Sequence, residues 1–111
     1  MSGRIPRAKM ASSERESRSR LAQLVHDWGI LRGTLAVRSR TCGKPTCRCA
    51  KGEKHVSLYL VVSEGGKYRQ VFVPKDLEQV VRLWVENHQK VRDLIEEISR
   101  VHYERVRKRE L

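Results

Sequence analysis

The period of the apolar positions along this chain switches from helical to alternating and back to helical. Leu21, Leu24, Val25 and Trp28 share one face at helical spacing, which predicts a helix over 12–29 ending at Gly29. Ser13 with Glu16 three positions on has the form of a capping box. Trp28 is expected to anchor this helix in the core. Leu35 and Val37 then alternate with Ala36 and Arg38, the pattern of a short strand with one wet face. Val56–Ser63 and Tyr68–Val73 are β-branched and aromatic, and Glu64-Gly65-Gly66-Lys67 lies between them. Two glycines between strand-like runs predict a tight hairpin, because its turn needs positive φ.

Pro74 ends the last strand, and Asp76 with Gln79 offers a second cap-like start. Leu77, Trp84, Val91 and Ile98 recur every seven residues. Val80, Leu94 and Val101 sit three further on, Asn87 is the polar exception, and Val81 and Ile95 widen the stripe. This spacing predicts one long helix over 76–109. Such a helix overhangs a small sheet, so its stripe also suits a homodimer in which Asn87 sets the register. His88 and His102 flank the stripe as boundary residues, and His26 beside Asp27 faces solvent.

These elements predict an α+β fold: an N-terminal helix, a short antiparallel sheet of about three strands with a Cys-rich loop, and a long C-terminal helix. Residues 1–11 lack periodicity and read as a flexible basic arm. Residues 12–111 read as a single small domain, with the sheet and its loop over 33–74. The chain has 111 residues, 39% of them apolar and only six aromatic (two Trp, three Tyr, one Phe). A core that thin calls for a metal, a partner subunit or a long packed helix. No window approaches 18 uncharged apolar residues, which argues against a membrane-spanning helix. The basic N-terminus has no apolar run behind it, so a secretory signal is not expected and the cytoplasm is the expected compartment.

Charge narrows the function. Twenty-four basic residues against 13 acidic ones give +11. Residues 1–54 hold 13 basic and 4 acidic groups (+9), and residues 55–111 hold 11 and 9 (+2). A field of this sign attracts polyanions, nucleic acid first among them. A membrane surface fits less well, because the basic half has no long apolar helix face to insert.

All three cysteines fall in Cys42-Gly43-Lys44-Pro45-Thr46-Cys47-Arg48-Cys49, and His55 follows six residues later. Three thiols and an imidazole are the donors that tetrahedral structural Zn2+ takes. Gly43 and Pro45 permit the sharp turns that clustered ligands need. Surrounding cations favour ionised thiolates. A disulfide framework is disfavoured by the odd count. Unliganded thiols and a redox or catalytic cysteine remain open alternatives.

Arg32-Gly33-Thr34-Leu35, the run Cys42-Gly43-Lys44-Pro45-x-Cys47-x-Cys49-Ala50-Lys51-Gly52, then His55, Tyr59 and Val71-x-Val73-Pro74 together carry a resemblance. Over about Leu31 to Ile98 the chain resembles a family of small bacterial and archaeal proteins of unknown function that carry a Cys-Gly-Lys-Pro-x-Cys-x-Cys motif. In its distribution that family is similar to mobile-element and transposase-associated proteins. Where the family continues His-Gly-Pro, this chain reads His55-Val56-Ser57. The resemblance implies a shared motif and no activity.

The expectation is therefore a small nucleic-acid-binding module, accessory to a mobile element, with DNA favoured over RNA. Cys42, Cys47, Cys49 and His55 would hold Zn2+ and fix a loop. Arg38, Arg40, Lys44, Arg48, Lys51, Lys54 and Arg69 would face phosphates. Tyr68, Arg69 and Gln70 would lie against a groove, and Arg4, Arg7 and Lys9 would trail as an arm. The alternative is a zinc-stapled protein–protein adaptor that dimerises through the long helix. No acid–base–nucleophile set emerges, so an enzyme is not expected.

Overall fold

The computed structural model describes residues 3–40, 46 and 55–110. Helix α1 spans Ser12–Asp27, strands β1, β2 and β3 span Thr34–Arg40, His55–Glu64 and Lys67–Val73, and helix α2 spans Glu78–Lys108. The three strands form one antiparallel sheet in the order β1-β2-β3. The α+β class and the order of elements match the reading of the sequence. By internal packing the chain divides into two compact units: Met1–Ile30 with Glu86–Leu111, here the helical unit, and Leu31–Val85, the sheet unit.

In the sheet unit, the Gly-Gly turn sets one register. Gly65 and Gly66 take φ of 57° and 78°, the doubly positive φ of a two-residue type I′ hairpin. Glu64 therefore faces Lys67, and Tyr59 faces Phe72. Side chains alternate across a strand, so Leu58, Leu60 and Val73 share a face and form the buried core. Leu31, Leu35, Val62, Val81 and Val85 pack against them. The Leu31 amide also donates to the Trp84 carbonyl at 3.1 Å, tying the entry of β1 to the start of α2. Gly33 is needed for a close approach: a Cβ there would lie 2.6 Å from Leu60 Cδ1 and 3.1 Å from the Val61 carbonyl oxygen.

In the helical unit, α1 and α2 run antiparallel. Lys9 bonds with Arg105, Ser17 with Glu97, and Gly29 with Asn87, so partners descend on one helix as they ascend on the other. Only Glu14, Asn87 and Leu94 are buried among the described residues here.

Three local expectations need correction. The first helix is not capped by Ser13: Ala11 takes the N-cap position in an extended conformation, with no side-chain cap bond, and Glu14 is drawn inward instead. Asp76 does not cap the long helix either, because it sits inside a 3-10 turn, Lys75–Leu77, that begins after Pro74. Trp28 is no core anchor. It is the extended C-cap residue of α1, so its side chain leaves the helical face and is 55% exposed. The aperiodic N-terminal segment contains a 3-10 turn at Arg7–Lys9, and the Lys9 carbonyl accepts a 2.8 Å hydrogen bond from Arg105.

Candidate functional site

The β1–β2 ladder frames the cysteine segment. Its register runs from Thr34↔Val61 to Arg40↔His55, and paired residues in an antiparallel ladder lie about 5 Å apart. Positions 41–54 therefore leave and re-enter the sheet at adjacent points, with Cys42 two residues beyond the end of β1 and His55 opening β2. Cys42, Cys47 and Cys49 lie outside the described residues, as do Lys44, Arg48, Lys51 and Lys54. Arg40 and His55 are described through their backbone alone. Among the described residues, no group of three or more His, Cys, Asp or Glu is arranged to hold a metal ion.

Of the predicted phosphate-facing residues, Arg38 and Arg69 are described with their side chains. The register and the alternation of β1–β3 put Ala36, Arg38, Ser57, Tyr59, Val61, Tyr68, Gln70 and Phe72 on the face opposite the core. Among the described residues of that face, none is buried. The Arg38 guanidinium stands 5.8 Å from the Tyr59 ring centroid, within cation–π range. The Tyr59 and Phe72 rings meet edge to face, 5.8 Å apart at 68°, a favoured aromatic geometry. Arg38, Ser39, Ser57, Tyr59 and Gln70 line a shallow depression of about 460 Å³.

Arg69 belongs elsewhere. Alternation puts it on the opposite face of β3 from its neighbours Tyr68 and Gln70, where its Nε lies 3.8 Å from Glu64 Oε2. Tyr68 and Gln70 therefore share a surface with Arg38 and not with Arg69. The signal that identifies the Tyr59–Phe72 pair was present in the sequence. A two-residue turn at Gly65-Gly66 pairs 64 with 67, and counting back reaches 59 and 72.

A second chemically distinct feature lies in the helical unit. Glu14 is 1% exposed. Its Oε2 accepts a 2.8 Å hydrogen bond from Arg18 Nε, and His102 Nε2 lies 3.5 Å from the same oxygen. Among the described residues, Glu14 Oε1 has no hydrogen-bond partner. Burial alone would push its pKa up. The Arg18 hydrogen bond, the neighbouring His102 imidazole and their charges outweigh burial and hold it below the ordinary value of 4.5. His102 is thus a partner of a buried acid and more than a boundary residue. His26 is exposed, as expected, with Nδ1 2.6 Å from Asp27 Oδ1.

No described helix is long and apolar enough to cross a membrane. The domain of unknown function DUF6788 matches residues 10–82, about two thirds of the chain, and the chain belongs to that family. No curated protein and no solved structure matches it.

Proposed function

Since membership of a family of unknown function assigns no activity, we propose that the chain is a small, non-enzymatic nucleic-acid-binding module with a structural zinc loop, accessory to a mobile element. The observation that carries this reading is where the charge lies. The sheet unit, Leu31–Val85, holds 11 basic and 4 acidic residues (+7), whereas the helical unit holds 13 and 9 (+4). Six of those 11 cations flank or occupy the connection between β1 and β2: Arg38, Arg40, Lys44, Arg48, Lys51 and Lys54. A protein–protein adaptor has no need of that concentration, whereas a polyanion is attracted by it.

Zinc fits the same segment. The Arg40↔His55 pairing supports it, because the ladder draws the backbone at His55 toward the end of β1 just before Cys42. Thiolates of Cys42, Cys47 and Cys49 and the His55 imidazole complete a tetrahedral donor set. Metal binding then contributes folding free energy to a unit whose buried core is Leu58, Leu60 and Val73.

Two measurements test the reading. Oligonucleotide affinity followed across a salt series should fall steeply as counterions are retained. Lys44→Glu with Arg48→Glu should weaken it about tenfold or more at low salt. A flat salt response, or no binding at low salt, overturns the nucleic-acid reading in favour of the adaptor. Metal analysis of freshly purified, reduced protein should find about one zinc per chain, and Cys47→Ser should lower both metal content and Tm. Metal-free protein from chelator-free preparations overturns the zinc loop.

A further inference from the structure

The two faces of the sheet are built for different ends. On one, Leu58, Leu60 and Val73 are buried beneath Leu31, Val81 and Val85. On the other, none of the described side chains is buried, and three of the chain's six aromatic residues stand there: Tyr59, Tyr68 and Phe72. Phe72 is 54% and Tyr68 77% exposed. Aromatic rings on a sheet ordinarily lie under a covering layer, because their burial is a large part of core energetics. Here they are interleaved with Arg38, Gln70 and Ser57, and the surface belongs to the more cationic unit.

We infer that this open face is a stacking platform for unpaired bases of a single-stranded nucleic acid. The inference rests on the nucleic-acid reading above and adds both the strandedness of the ligand and the surface that takes it. Every base has a π face, so exposed rings bind single strands with little regard to sequence. The bases of a duplex are stacked on one another and offer no such face to a flat sheet.

Tyr59 and Phe72 are direct cross-strand partners, so their rings form one continuous apolar patch at the Val73 end of β3. Tyr68 lies four residues along the same strand, about 13 Å away at the strand rise. Between them, Gln70 supplies both an amide donor and a carbonyl acceptor for base edges. The Arg38 guanidinium, already over Tyr59, is a planar cation suited to stacking and to phosphate. The net charge of +7 in this unit favours a polyanion over an apolar partner.

The test is fluorescence anisotropy on the full chain, using labelled dodecamers of thymidine DNA, uridine RNA, a mixed-sequence duplex and a poly-glutamate peptide. The wild type should bind one or both single strands at least tenfold more tightly than the duplex. Phe72→Val and Tyr68→Thr keep strand-forming residues at exposed positions, so circular dichroism should be unchanged. Tm should hold for Tyr68→Thr and fall by a few degrees at most for Phe72→Val, which loses the edge-to-face contact with Tyr59. Each should weaken single-strand binding about fivefold to 100-fold while leaving the salt slope as it was, since no phosphate contact is lost. Arg38→Gln should lower that slope by about one.

Wild-type affinity in both aromatic variants, or duplex binding as tight as single-strand binding, overturns the platform and leaves the nucleic-acid reading standing. Poly-glutamate bound as tightly as oligonucleotide overturns the platform, because that peptide has no bases. Absence of binding to every oligonucleotide at low salt overturns both.

Discussion

The sheet unit and the helical unit are of similar size and are held together by different chemistry. Among the described residues, 31–85 bury three aliphatic side chains, Leu58, Leu60 and Val73, and no polar side chain. The described residues of 1–30 and 86–111 bury one aliphatic, Leu94, and two polar side chains, Glu14 and Asn87. An aliphatic core is indifferent to pH and is damaged by lost volume. A polar one depends on each hydrogen bond being kept, and it responds to protonation. In this small chain the unit with the pH-insensitive core also carries the denser positive charge. The unit with the weaker charge excess buries an ionisable group.

Each unit contains one tryptophan, Trp28 in the helical unit and Trp84 in the sheet unit. Trp28→Phe and Trp84→Phe therefore give fluorescence reporters for the two halves. The largest expected effect is on the sheet. Leu60→Ala removes a buried side chain from the core it forms with Leu58 and Val73 and should cost about 2–4 kcal/mol. That loss should be read by urea denaturation at Trp84 in the Trp28→Phe background. A loss of the same size at Trp28 in the Trp84→Phe background would break the comparison, because the two units would then unfold as one.

The next effect belongs to the helical unit. Glu14→Gln removes the charge that Arg18 and His102 meet and should cost about 1–3 kcal/mol. The wild type carries the same vulnerability to acid. Because the folded pKa of Glu14 lies below its ordinary value of 4.5, the carboxylate contributes stability that is fully present above that value. The contribution fades as pH falls from 4.5 through the folded value. Acid titration should therefore disturb Trp28 as pH falls below 4.5, and Glu14→Gln should abolish that step. The same transition at Trp28 in both proteins would show that Glu14 does not set the acid response of its unit.

The sheet unit was largely legible in the sequence and the helical unit was not, for a physical reason. Gly65-Gly66 permits one turn, the turn fixes one register, and strand alternation then sorts residues by face. The partner of every β3 residue follows from that. Pairing β1 with β2 needed the closure of positions 41–54, which no local rule supplies. In the helical unit, Ser13 and Glu16 satisfied the capping pattern, yet the helix begins at Ser12 and the side chain that matters is Glu14. The (i, i+4) spacing of Glu14 and Arg18 is also that of any surface pair, so nothing local marks it as buried. Trp28 likewise kept helical spacing, but only until the helix stopped one residue short of it. Arg69 and Gln70 looked like a pair in the sequence, although neighbours on a strand point to opposite faces.

The smallest effect distinguishes two uses of the α2 stripe. Asn87, the one polar position in the heptad pattern, is 3% exposed, and its Nδ2 donates to the Gly29 carbonyl at 3.1 Å. This bond closes the chain just beyond α1. In that role Asn87→Leu leaves a carbonyl without its donor and should lower stability by about 1 kcal/mol. Tm should then be independent of protein concentration. In a homodimer built on the same stripe, a buried Asn fixes register at a cost in stability, so the same substitution should raise Tm and make it concentration-dependent. The sign of the change decides between the two, and thermal melts of wild type and Asn87→Leu over a hundredfold range of concentration read it directly. A higher, concentration-dependent Tm would mean that the polar centre of the helical unit serves association and not the closure of a single chain.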